Sequence, residues 1–362
     1  MIKYLISFFY IWLLFTAGLF AQNAASPYSI YGIGKLSGYG LAYHNNMGGL
    51  GISNGKFSVL NNINPALLPL NFFTTFDAGL YAESRSLVTS ELSESNTNGG
   101  LSYLTFGFPI KEGKWTMAFG LMPYSNVSYN ILATSNVVNR EEADAEYQYL
   151  GSGGINQVYM SNGWQIIPNF LSIGARVGYA FGTITDETLV ELNEIVYRDE
   201  EDTIGRLKEF RSSNYFRSSR YSDFLFEGGI QITRKLNEEI DVNLGFVYEF
   251  SANMNTKRNE RIEVVDASSP EPPTDDILIE TSGTTVLPQK FGYGLSFTKK
   301  YKWTFGIDYY SRNWSKYKSD FENEQALTNS FELIAGGEFT PDFFSVTSYL
   351  KRVTYQFGFN YE

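Results

Sequence analysis

The first residues that could do chemistry are Gly34 and Lys35, in the glycine-rich stretch YGIGKLSGYG (31–40). A phosphate loop of the form G-x-x-x-x-G-K-[ST] would need glycine at 29 and a hydroxyl at 36, where the chain has Ser29 and Leu36. The dinucleotide pattern G-x-G-x-x-G begins at Gly32 and Gly34 but meets Ser37 in place of its third glycine. The single histidine, His44, would have to serve any Ser-His-Asp triad, and no nucleophile-elbow motif accompanies it, so it reads as a polar group of the N-terminal plug segment. With one histidine and no cysteine, metal sites built from His or Cys clusters are excluded by count. The acidic run RDEEDTIGRLKE (198–209) lacks the spaced carboxylates of a calcium loop, and SSPEPPTDD (268–276) reads as a flexible loop tip. No catalytic residue, metal or cofactor is assigned.

The remaining charges recur on one side of an alternating pattern. Phe291, Tyr293, Leu295 and Phe297 alternate with Gly292, Gly294, Ser296 and Thr298, and Trp303, Phe305, Ile307 and Tyr309 repeat the pattern. Ile240 to Phe250 alternates in the same way. Between Leu171 and Gly182 the polar side reads Ser172, Gly174, Arg176, Gly178, Ala180, Gly182. Period two sustained for about ten residues means strands with one apolar and one polar face. Arg176, Glu227, Asp241, Glu249 and Asp308 all fall on polar faces. Buried charges need partners, so these are expected to pair with one another or with backbone, and only Arg176 has the sign to hold a ligand's carboxylate.

These elements fit a membrane wall better than a soluble sandwich. Runs of about 10 to 16 residues exceed the usual strand of soluble sheets. Their apolar faces are rich in Phe, Tyr and Trp, as a lipid-facing surface with aromatic girdles requires. Tight connections (110–114, 167–169, 234–239, 298–302) alternate with long polar ones (84–99, 185–213, 256–283). That asymmetry is how an outer-membrane barrel is built, and closure leaves no backbone edge in lipid. The expected fold is an all-β transmembrane antiparallel barrel. The formal charge of −11 excludes nucleic acid as a partner. Residues 1–21 read as an export signal, with a single-span anchor as the alternative, and the absence of cysteine excludes a lipid-anchored lipoprotein.

Residues 22–71 are too irregular for a strand, too glycine-punctuated for a long helix and too apolar for a disordered tail, so the lumen of the barrel formed by 72–362 is their expected place. MGGLGIS (47–53), carrying Gly48, Gly49 and Gly51, and NNINPALL (61–68), with Asn64-Pro65-Ala66, resemble the N-terminal hatch of the FadL/TodX family of outer-membrane transporters of hydrophobic compounds, in a Bacteroidetes-like variant. VLPQKFGYGLSFTKKYKWTFGIDYYSRNWSKY (286–317) is similar to a second family segment, and GSGGINQVYMSNGWQI (151–166) more weakly to a third. The resemblance implies a 14-stranded barrel plugged by the hatch. It implies passive uptake of hydrophobic small molecules such as long-chain fatty acids, with sideways exit into membrane lipid at a kinked third strand. Pro123 and Tyr124, in MPYSN, match the kink. It also implies the outer membrane of a Gram-negative cell.

About eleven strands are visible by Tyr355, Phe357, Phe359 and Tyr361, an odd number where such barrels are even. Either the count is off by one or the sequence continues further; the second is preferred. The rival function is a barrel component or partner of an outer-membrane protein assembly or secretion machine, with a filled lumen and a protein partner at the extracellular loops. No catalytic constellation supports an enzyme.

Overall fold

The computed structural model describes residues 26–88, 93–136, 144–195, 208–266, 277–321 and 327–362. One short strand lies in the N-terminal segment, β1 (Lys35–Leu36). The wall follows in antiparallel order: β2 (Thr75–Val88), β3 (Ser93–Lys111), β4 (Trp115–Asn136), β5 (Asp144–Ile167), β6 (Leu171–Ile195) and β7 (Lys208–Lys235). It continues through β8 (Ile240–Glu249) and β9 (Ala252–Asp266), β10 (Ile277–Leu287) and β11 (Lys290–Lys299), then β12 (Trp303–Arg312) and β13 (Lys318–Ser319). β14 (Ser330–Phe339) and β15 (Tyr355–Tyr361) follow. β8 with β9, β10 with β11 and β12 with β13 are successive halves of single passes. The order β15-β14-β12-β11-β8-β7-β6-β5-β4-β3-β2 therefore describes eleven passes, and β9, β10 and β13 extend the sheet beyond β7.

Strands run further than alternation predicts. β7 has 28 residues, and much of 84–99, 185–213 and 256–283, expected as loops, is paired strand. Beyond the membrane the apolar–polar contrast disappears from the sequence, while the ladder of backbone hydrogen bonds continues regardless. The runs 1–21, 198–207 and 268–276 lie outside the described residues.

The alternation itself sorts the wall. Ile173, Val177, Tyr179 and Phe181 are exposed outward, whereas Ser172, Arg176 and Ala180 are buried. The same holds for Phe305, Ile307 and Tyr309 against Thr304, Asp308 and Tyr310. Outward side chains form the lipid-facing surface of a transmembrane β-barrel. Inward ones meet residues 26–71, which plug it. Two apolar clusters seat the plug: Leu41, Leu60 and Leu68 against Tyr103, Ala118, Met122 and Tyr159, and Met47, Leu50, Ile52 and Ile63 against Val247, Tyr310 and Ile334.

One junction in the wall is incomplete. β3 and β4 pair only between Lys111↔Trp115 and Leu104↔Leu121. Past that point β4 stays paired with β5 as far as Asn136↔Asp144, and β3 with β2 as far as Ser93↔Val88. The two strands part at mid-wall.

Candidate functional site

The plug sits where the wall lacks side chains. Gly163, Gly174 and Gly229 are successive register partners on β5, β6 and β7. A Cβ on any of them would collide with the turn Asn64-Pro65-Ala66. Gly245 and Gly294, paired across β8 and β11, receive Ile52 in the same way, and Gly336 and Gly358 receive Met47. Asn64 locks the turn: its Oδ1 accepts from Ala66 N at 3.0 Å, and its amide donates to Ile52 O at 2.7 Å and Ile230 O at 3.2 Å. Asp308 Oδ2 accepts from Gly51 N at 2.7 Å and Ile52 N at 2.8 Å, so this wall carboxylate binds plug backbone. Gly48 and Gly49 adopt φ of 73° and 101°, a region that glycine enters at little cost. His44 is buried, and its Nδ1 accepts from Leu41 N at 3.3 Å. Burial drives its pKa down to about 3, so it is neutral at physiological pH.

Above this seat runs a belt of charge. Arg176, Glu227, Glu249, Lys290 and Arg312 are consecutive register partners on β6, β7, β8, β11 and β12. Arg176 donates to Ser161 Oγ at 3.1 Å, to Glu227 Oε2 at 3.4 Å and to the plug carbonyl of Asn62. Arg312 donates to Glu249 Oε1 at 2.9 Å and to Pro288 O at 3.2 Å. Glu249 also accepts from Tyr39 at 3.0 Å and from Tyr124 at 3.0 Å. Tyr39 belongs to the plug, and its ring lies 4.7 Å under the Arg176 guanidinium. Burial, reinforced by the Glu249 charge, raises the Tyr39 pKa, which keeps its hydroxyl a donor. Glu249 is therefore a node that joins wall, plug and β4.

Tyr124 reaches the node from β4, where it keeps the inward parity of Thr116, Ala118 and Met122 and is 2% exposed. The β4–β5 register shifts between Pro123 and Ser125, and past this bulge the inward side passes to Ser125, Val127 and Tyr129. Its neighbours on β4 face the gap left by β3. There the plug supplies a substitute strand, in which β1 pairs Lys35 with Asn126 and Leu36 with Ser125. Ser37 N donates to Tyr124 O at 2.9 Å and Ser26 N to Ser128 O at 2.7 Å, while Ser128 N donates to Ser29 Oγ at 3.1 Å. Gly34, at φ 86°, lies against Asn126 backbone that a Cβ would strike. The glycine-rich stretch is thus the cover of a wall gap. A cavity of about 690 Å³ lies beside it, lined by Leu36, Phe181 and Pro123 and by polar residues such as Ser37, Glu83 and Asn126. A second, of about 600 Å³, is lined by Glu227, Glu249, Lys290, Arg312 and Glu332.

The family model of BamG matches residues 1–362. This chain belongs to the BamG family. Among solved structures, the toluene transporter TbuX of Ralstonia pickettii is similar over 90% of this chain and 86% of its own, at 13% identity and a TM-score of 0.53. The Pseudomonas putida toluene transporter TodX matches over 91% and 85% at 12% identity, TM-score 0.49, and the CymD monoaromatic hydrocarbon channel over 85% and 81% at 12% identity, TM-score 0.48. The likeness to TbuX establishes the fold expected from the hatch motif, that of the FadL/TodX-type outer-membrane channels. No curated protein matches.

In this BamG-family chain the five charges expected on polar faces divide into three groups. Arg176, Glu227 and Glu249 join the belt, and Asp308 holds the plug. Asp241 lies apart near the short-turn end, opposite Lys235 and Thr298. Lys290 and Arg312 were not singled out from sequence. Both obey the parity of their strands, Lys290 with Gly292 and Arg312 with Asp308, so carrying the alternation to the strand ends finds them. Tyr39 carries no such signal.

Proposed function

We propose that this barrel takes up hydrophobic small molecules, long-chain fatty acids or similar, across the outer membrane and releases them sideways into lipid between β3 and β4. The observation that carries the reading is the end of β3–β4 pairing at Leu104↔Leu121, beside the Pro123 bulge and a cavity of about 690 Å³. A solute leaving there would have to displace the plug segment 26–37. Its few ladder bonds are weak enough to open, since a net backbone hydrogen bond is worth only about 0.5–1.5 kcal/mol. TbuX is a toluene transporter, which accords with a hydrophobic cargo. Residues 1–21 would direct export.

A second reading, a component or partner of an outer-membrane protein assembly machine, is favoured by the lining of the second cavity. Lys290, Arg312, Glu227, Glu249 and Glu332 surround it, and charges in a low-dielectric lumen disfavour an apolar guest. In that reading the plug is a fixed filler and the partner binds the outer loops.

Displacement of a fluorescent fatty acid from the refolded barrel tests the first reading. Saturable binding that disappears when residues 26–40 are deleted supports uptake through the gap. A folded barrel without saturable binding, together with a protein recovered by crosslinking in cells, would replace uptake with the assembly role.

A further inference from the structure

The short-turn end of the barrel carries a feature that neither reading uses. The connections β3–β4, β5–β6, β7–β8 and β11–β12 span three or four residues each, but β14 and β15 are joined by residues 340–354. This segment is built, not slack. Thr340 N donates to Lys302 O at 2.7 Å, and Asp342 N to Lys351 O at 2.8 Å. The hydroxyls of Thr340 and Thr354 meet at 2.9 Å, and Phe344 N donates to Asp342 Oδ1 at 3.2 Å. A helical turn, Tyr349–Arg352, closes it.

The rigid frame presents apolar side chains to the outside. Val346 is 94% exposed, Tyr349 73%, Phe344 70% and Leu350 66%. Tyr301, from the β11–β12 turn, packs against Phe343 at 5.2 Å and edge-on to Phe344 at 5.4 Å. Two residues on, Trp303 begins the outward aromatic column Trp303–Phe305–Phe357, with centroids 5.3 and 5.9 Å apart. The patch therefore continues the bilayer-facing surface past the end of the strands. Its charge is opposite to that of the whole chain. Within these two segments Lys300, Lys302, Lys351 and Arg352 outnumber Asp342 four to one, in a protein of formal charge −11, and Glu239 of the neighbouring β7–β8 turn acts on Lys302.

We propose that residues 300–302 and 340–354 form a foot that inserts into the membrane surface at the short-turn side and selects anionic phospholipid headgroups. Aromatic and aliphatic side chains beside a cluster of Lys and Arg suit the boundary between headgroups and acyl chains, where apolar burial and attraction to anionic lipid add together. An acidic protein surface would also pair with the cations, but continuity with the outward column Trp303–Phe305–Phe357 favours lipid.

The chain has no cysteine, so Val346→Cys in the full-length protein accepts one environment-sensitive fluorophore. The barrel is placed in nanodiscs containing brominated phosphatidylglycerol or brominated phosphatidylcholine, with a Lys114→Cys label in another short turn as the baseline. The foot predicts quenching at 346 at least about threefold stronger in the anionic lipid. Replacing Lys300, Lys302, Lys351 and Arg352 by Gln should abolish that preference, and Phe344→Ser with Leu350→Ser should reduce quenching in both lipids. A label quenched by aqueous iodide but by neither lipid, equal quenching in both lipids, or protection that appears only on addition of periplasmic proteins would overturn the proposal.

Discussion

The two halves of the plug are held in opposite ways. Residues 41–71 lie on a lane of wall glycines and bury Leu41, Met47, Leu50, Ile52, Leu60, Ile63, Leu67 and Leu68. Residues 26–40 bury Ile33 and, in part, Leu36 and the ring of Tyr39, and otherwise depend on main-chain bonds to the free edge of β4 and on the Tyr39 hydroxyl. Burial of one large aliphatic side chain contributes roughly 1.5–3 kcal/mol, so the lower half is fixed many times over and the upper half by a small margin. The weak half covers the wall gap. A plug that must stay in place and yet uncover an exit needs this division.

Four changes probe it, in decreasing order of effect. Glu249→Ala removes the acceptor shared by Arg312, Tyr39 and Tyr124 and leaves a buried guanidinium without its partner, at a cost of about 3–5 kcal/mol. Thermal unfolding should register that loss, with Glu249→Gln milder because it keeps an acceptor. Proteolysis should then cut first within 26–40. Gly174→Val drives a side chain into Pro65 and Ala66, where backbone cannot yield, and should cost about 1–3 kcal/mol or more. Planar-bilayer recordings should show a larger conductance as the lower plug lifts.

His44 gives the third probe. Its folded pKa, lowered to about 3, lies below the ordinary value of 6.5, so the unfolded or undocked chain binds the proton first. The contribution of His44 to the lower plug is fully present above pH 6.5 and is lost as pH falls from there, by about 1.4 kcal/mol over the first unit. Protease protection of 41–71 should follow that curve, and His44→Gln should flatten it. Ser37→Pro, the mildest, removes one donor to Tyr124 O and should cost about 1 kcal/mol. Exposure should rise in 26–40 alone, seen by hydrogen exchange.

What sequence could and could not disclose follows the same division. Alternation in Leu171–Gly182 and Lys290–Arg312 fixed which side chains face lipid, because a two-residue period is local and the bilayer enforces it. The Asn-Pro-Ala turn was legible through its motif. Its receiving surface was not, since Gly229 lies far along the chain from Gly163 and Gly174 and the three meet only when three strands share a register. YGIGKLSGYG was placed in the plug but its partner, the edge of β4, was hidden, because edge pairing depends on where β3 departs. The belt was half visible: Arg176, Glu227 and Glu249 show by parity, but a hydroxyl such as Tyr39 or Tyr124 acquires its role only by crossing the lumen.

The central claim is that the upper plug can leave the β4 edge while the lower plug stays. Native-state hydrogen exchange of the barrel in detergent tests it directly, comparing the amides of Ser26 and Ser37, which bond β4, with those of Gly51, Ile52 and Ala66, which bond the Asp308 and Asn64 side chains. The account predicts exchange at 26 and 37 faster by on the order of 100-fold, a local opening well below the global one. Equal protection at all five amides would mean that the plug moves as one body or not at all, and would contradict it.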